Sequence, residues 1–375
     1  MAILIIALIV TLTLTACSKP QQTETEPEPA PRSTEAPPTP TPEPTPKPTP
    51  TPEPTPEPTP EPLGHNLDPD IDYVAEYGFD IDDYLFIEND YVQIFIPKDI
   101  EYSPNFEEAV MQAILWTEET TGLDTITKKS GNDNSRYTWT REFLNELDDD
   151  LVIINLWMQL SYGTDKLVIF PVDYPMAIPA AGTDYIQLTH EYFLFSNDLY
   201  DNHEFGVLLH ELAHTAHLRY TENSQNAPFN EGFAVWTTSQ IAKNQGLELL
   251  YREERDNYLN TRNIPSDMEQ YFCIDWTSDM GYPDSGRSRT NRPYEAGYVF
   301  FIYLHETYGD DIFRKILHQF SIRPVKYFGG EWDVSAFDAH MQKESKLYAE
   351  YIKAVTSQSV FQDFDAWFKL NRSRL

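Results

Sequence analysis

Apolar and polar positions divide this chain into three stretches. Met1 to Ala16 is almost wholly apolar, with Ile3, Leu4, Ile5, Ile6, Leu8, Ile9 and Val10 in near succession. Ser18 to Pro62 has no apolar periodicity. From Leu63 onward mixed patterns appear that predict regular elements. Tyr91 to Ile96 alternates and is rich in β-branched residues, which predicts a strand. Asn105 to Thr121 sets Phe106, Val110, Ile114 and Leu115 at helical spacing and stops at Gly122, which predicts a helix. Leu151 to Leu156, Lys166 to Phe170 and Gly182 to Leu188 read as further strands. Val207 to Ala216 reads as a helix. Val299 to Tyr308, Asp311 to Phe320, Ser335 to Val355 and Phe361 to Leu370 carry apolar stripes at three- and four-residue spacing, and read as helices too. Strand, helix and strands followed by a helical remainder predict an α+β fold.

The first run is too short for a comfortable transmembrane helix, which needs about 20 residues. It has the length of a secretory apolar region. It ends Leu14-Thr15-Ala16-Cys17, which resembles the bacterial lipobox. That resemblance implies cleavage before Cys17 and lipidation of its sulfur, so residues 1–17 are expected to be a lipoprotein signal peptide. No Lys or Arg precedes the apolar run, a departure from the usual basic start. The other cysteine, Cys273, then has no disulfide partner, and reads as a small buried hydrophobe.

Residues 18–62 hold 18 of the chain's 29 prolines in Thr-Pro and Glu-Pro dipeptides. Nothing there can bury a core. Alternating proline favours an extended polyproline II rod, and at about 3.1 Å per residue it reaches roughly 140 Å. A spacer is expected, holding a lipid-anchored domain at the outer face of a bacterial membrane and out into or through the cell wall.

The linker sets eight glutamates against Lys19, Arg32 and Lys47, which leaves −28 of the chain's −33 on the folded part. Such acidity argues against nucleic acid and anionic lipid surfaces as partners, so contact with the membrane is expected through the N-terminal lipid only. The acidic opening, Asp68 to Asp90, lacks the glycine and terminal Glu of a calcium loop, and reads as a solvated surface segment. Arg287, Arg289 and Arg292 form a basic patch that either faces acidic substrates or balances charge.

The chemistry concentrates in the helix around His210-Glu-Leu-Ala-His214. Two histidines four apart project from one side of a helix, separated by roughly 40°. Both imidazoles can reach one metal ion, and Glu211 points to a neighbouring side where a carboxylate can serve as general base. A helix otherwise apolar has placed costly polar groups inside, and a metal would satisfy them. Catalytic zinc takes three protein ligands. His217 shares the side of His210 and His214, but three ligands on one straight helix do not converge tetrahedrally. His203 has no spacing argument.

Glu231 is the better third ligand. It sits in Asn230-Glu-Gly-Phe-Ala234, which matches letter for letter the second motif of the gluzincin zinc peptidases. The resemblance is to the peptidase MA-like group that includes the leukotriene A4 hydrolase and aminopeptidase family. Arg292-Pro-Tyr-Glu-Ala-Gly297 is similar to that family's P-Y-E-K-G segment, with Ala296 in place of its lysine. The spacing from His214 to Glu231 is two residues shorter than in the aminopeptidases, and their G-A-M-E-N segment has no counterpart. The resemblance covers residues 182–320.

It implies a zincin-like fold, in which a mixed sheet lies over the active helix and a mainly helical half follows. The expected division is residues 63–200 for the α/β part and 201–375 for the helical, metal-binding part. His210, His214 and Glu231 are expected to bind one Zn2+, with Glu211 as base and Tyr294 as oxyanion donor. The strand around Tyr185, Ile186 and Gln187 would be the edge that binds substrate. The implied function is an exported, monomeric zinc peptidase acting on a peptide or protein substrate. A catalytically inactive surface-binding protein on the same scaffold stays open, as does structural zinc with His217 as fourth ligand.

Overall fold

The computed structural model describes residues 70–124, 144–145, 149–161, 164–173, 179–194, 200–221, 226–259, 261–262, 264–273, 292–323 and 334–375. Residues 1–69, which include the expected signal peptide, Cys17 and the expected spacer, lie outside the described residues, as do Arg287 and Arg289. No helix among those described is long and apolar enough to cross a membrane.

Among the described residues, five strands make one mixed sheet in the order β1-β2-β3-β5-β4. They are β1 (Tyr84–Glu88), β2 (Val92–Pro97), β3 (Leu167–Val172), β4 (Ala180–Ala181) and β5 (Tyr185–Thr189). The central pairs β2–β3 and β3–β5 are parallel, and the outer pairs β1–β2 and β4–β5 are antiparallel. Both faces are covered, which is why β3, Leu-Val-Ile-Phe-Pro-Val, is buried throughout. On one face Ile94, Ile96, Ile169, Ile186 and Leu188 meet helix α2 (Phe106–Thr121) and helix α4 (His203–Thr221). On the other, Phe95, Val168, Phe170 and Tyr185 meet helix α3 (Asp149–Ser161). A short helix α1 (Tyr73–Tyr77) precedes the sheet.

Three sequence expectations are corrected here. Leu151 to Leu156 is not a strand but the middle of α3. A short apolar run buried on most sides looks the same in helix and strand. The acidic opening is not wholly solvated: Ile71 and Phe79 are buried, and β1 takes an edge of the sheet. Finally, β5 is not an edge strand. Ala180 and Ala181 pair with Gln187 and Ile186 on its outer side.

The remainder is helical. It comprises α5 (Ala227–Gln245), α6 (Glu248–Tyr258), α7 (Met268–Cys273), α8 (Arg292–Tyr308), α9 (Ile312–Ile322), α10 (Val334–Val355) and α11 (Val360–Asn371). Their shared core is aromatic, with Phe229, Phe233, Trp236, Phe300, Phe301, Phe313 and Phe364 all buried. Cys273 is half-buried against it.

Candidate metal centre

Helix α4 starts where the Asn202 side chain accepts a hydrogen bond from the Phe205 N–H at 2.8 Å, satisfying one orphan donor of the first turn. Its flanks are spoken for. Phe205, Leu208, Leu209 and Leu212 pack on the sheet side, and Ala213 and Ala216 face the helical core. The remaining side carries His210 and His214. Their Nε2 atoms lie 3.1 Å apart with the rings edge to face.

Helix α5 is set by its own cap. The Asn226 side chain accepts from the Phe229 N–H at 3.1 Å, and the Asn230 side chain accepts from the Asn226 N–H at 3.2 Å. Asn226 also donates to the Phe272 carbonyl at 2.8 Å, tying this helix start to α7. Asn230 of the second motif therefore closes the helix N-terminus, one residue before Glu231. The Glu231 Oε2 atom lies 3.4 Å from His210 Nε2 and 3.3 Å from His214 Nε2.

Helix α8 crosses α5 backbone to backbone. A Cβ on Gly232 would meet Gly297 backbone atoms at 2.5 Å, and one on Gly297 would meet the Pro228 carbonyl oxygen at 2.1 Å. Only glycine at both places allows that approach. The contact carries Tyr294 to the site, where its ring stacks on His210 at 6.0 Å. Burial and then Glu231, Tyr258 and Glu211 hold the Tyr294 phenol well above its ordinary range, so it stays protonated.

Three ligand atoms therefore converge from two helices, and among the described residues they form the one candidate metal cluster. Ligand distances of about 2.0–2.2 Å give a tetrahedral edge of roughly 3.4 Å. The observed edges of 3.1, 3.3 and 3.4 Å fit. Glu231 Oε2 is buried, yet accepts no well-directed hydrogen bond. Burial pushes the Glu231 carboxyl up, but His214 and His210 outweigh it and hold the group below the usual carboxylate range. A buried carboxylate oxygen facing two imidazole nitrogens, with no donor aimed at it, suits a divalent cation.

Glu211 stands beside this triangle and outside it. It is buried, and burial, opposed by His210 and reinforced by Glu231, pushes its carboxyl up to about 7. His217 is not in the cluster. Its Nε2 meets the Tyr348 hydroxyl at 3.0 Å, and burial then His214 push its pKa down to about 3, so it packs as a neutral ring. His203 turns away to Glu253 at 2.9 Å.

No protein-family model matches this chain. No curated protein is similar to it either.

The structure brings together His210, Glu211, His214, Glu231 and Tyr294, and leaves out Tyr185, Ile186 and Gln187. Tyr185 is buried against Phe170, Ile186 lies in the opposite core, and Gln187 is buried too. Their expected role as a substrate-binding edge is corrected by the strand order, since β4 already occupies that side. Tyr258 was missed from sequence. Its ring stacks on Tyr294 at 5.5 Å, and its phenol feels both Glu231 and Glu211. With 23 tyrosines in the chain and no motif around it, nothing marked it.

Proposed function

We propose that this chain is a zinc-dependent peptidase of gluzincin type, with a zincin-like arrangement of sheet, metal helix and helical remainder. The observation that carries this reading is the convergence of His210, His214 and Glu231 at tetrahedral spacing beside a buried, non-ligating Glu211. Those three residues would hold the ion. Zinc bound there supplies Lewis acidity at the scissile carbonyl.

The chain's own residues do the rest. Glu211 takes a proton from the attacking water as its oxygen bonds to the carbonyl carbon, and returns it to the leaving nitrogen as the C–N bond breaks. The raised affinity of Glu211 for a proton suits a group that must hold one between the two transfers. Tyr294 is kept protonated by burial, and donates to the carbonyl oxygen as negative charge develops. The stacked Tyr258 fixes its ring. The lipobox-like Leu14 to Cys17 supports an exported protein held by lipid at Cys17, with residues 18–62 as its spacer.

Hydrolysis of an unbiased peptide mixture tests the reading, with and without chelator, in wild type and Glu211→Gln. Zinc retained in the variant with activity reduced about 10³-fold is expected. Equal activity in both proteins rejects Glu211 as the base.

A further inference from the structure

Helices α5, α6 and α8 share two polar layers. The first is the site itself, where Glu231, Tyr294 and Tyr258 meet. In the second, further along the helices, Ser239 Oγ of α5 and the Tyr298 hydroxyl of α8 are 2.6 Å apart. Glu254 of α6 lies close enough to both Tyr298 and Tyr258 to raise the pKa of each. The inward face of α6 runs Leu250, Glu254, Tyr258, one residue per turn. It ends at the Tyr258–Tyr294 stack.

Glu254 is 8% exposed, and its Oε2 has no hydrogen-bond partner among the described residues. Burial, with Glu253 adding, holds its carboxyl up to about 8. The charged and titratable groups around it are Tyr251, Glu253, Arg255 and Tyr258 on its own helix and Tyr298 on α8; Arg255 is exposed. A buried carboxyl with no partner, used by no step of the proposed reaction, asks what it is kept for.

We propose that Glu254 is a specificity-determining residue, which takes the ammonium or guanidinium of a lysine or arginine side chain on the peptide cleaved at the metal centre. This rests on the peptidase reading. Four positions along α6 separate Glu254 from Tyr258, about 6 Å of helix, which a long basic side chain spans. Tyr258, half-buried and stacked on Tyr294 by one face, offers its other face to a cation. Glu253, half-buried, strengthens the negative field. The incoming cation displaces the proton held by Glu254 into solvent, so binding tightens as pH rises toward 8.

The test uses two blocked peptides, acetylated and amidated, identical but for lysine against norleucine, with wild type and Glu254→Gln. Calorimetric titration of pentylammonium chloride into the chelator-treated proteins gives a readout without turnover. In the variant, kcat/KM for the lysine peptide is expected to fall about 100-fold, with the norleucine peptide unchanged. Pentylammonium affinity is expected to fall roughly tenfold, with loss of the proton release. Equal lysine preference in both proteins, or unchanged pentylammonium binding, overturns the proposal. So does a basic preference seen only in peptides with a free amino terminus. If the zinc-loaded wild type cleaves neither peptide, the peptidase reading fails, and loss of pentylammonium binding in Glu254→Gln still upholds the cation site.

Discussion

The sheet half and the helical half bury different things. Around the sheet the buried polar groups are amides and hydroxyls, such as Asn155, Gln159, Gln187 and Thr189. Among the described residues, the buried charged ones are Glu211, Arg219, Glu254 and Glu295, all on helices α4, α6 and α8. The sheet half is held by packing. Trp157 takes Phe79 and Tyr84 edge-on at 5.1 and 4.9 Å, and stacks on Phe170 at 5.5 Å. The helical half instead carries groups whose burial is costly unless they are paired or used. Under the proposed function, the difference assigns scaffold to one half and chemistry to the other. Arg219 joins the two. It donates from Nε to the Thr183 carbonyl at 2.5 Å, and its Nη2 lies 3.5 Å from Asp184, which fastens α4 to the turn before β5.

Loss of packing in the sheet should cost stability and leave chemistry alone. Phe170→Ala is expected to lower unfolding free energy by about 3–5 kcal/mol in denaturant titration. The kcat of the folded fraction should stay within about twofold of wild type, and a larger drop breaks the division of labour. Tyr294→Phe should do the reverse. A loss of about 10²-fold in kcat, with little change in KM or melting temperature, is expected from steady-state kinetics. A KM effect alone would make Tyr294 a binding residue.

The smallest effect concerns Glu254. Its carboxyl binds a proton more tightly folded than unfolded, since burial raises it from an ordinary 4.5 to about 8. The unfolded chain therefore releases that proton first, and wild-type stability falls as pH rises between those values. Melting temperatures of wild type and Glu254→Gln should coincide near pH 5, and separate by about 5 °C in favour of the variant at pH 8. A constant gap would mean that Glu254 is not a buried acid.

How much of this was legible depended on whether the signal was local. His210 and His214 could be read because one helix turn sets their relation. Glu231 and Tyr294 were legible through short motifs, but the reason for the motifs was not. Gly232 and Gly297 belong to separate segments, and only the folded chain reveals them as one close contact. Glu254 was invisible because Arg252-Glu-Glu-Arg-Asp256 looks like a solvated charged turn of helix, and tertiary packing alone buries its middle residue. The strand order failed for a similar reason. Ala180–Ala181 is too short to carry a pattern, yet it covers the side of β5 that was expected to be free. In α3, burial on most sides erased the helical period that would have separated it from a strand.

Zinc content is the most direct measurement. Wild type, His214→Ala and Glu231→Ala would be stripped with chelator, reloaded with zinc, desalted and assayed by plasma mass spectrometry. One ion per wild-type chain is expected, with little retained by either variant. A wild type that holds no zinc, or a Glu231→Ala variant that keeps a full ion, would contradict a metal centre built from His210, His214 and Glu231.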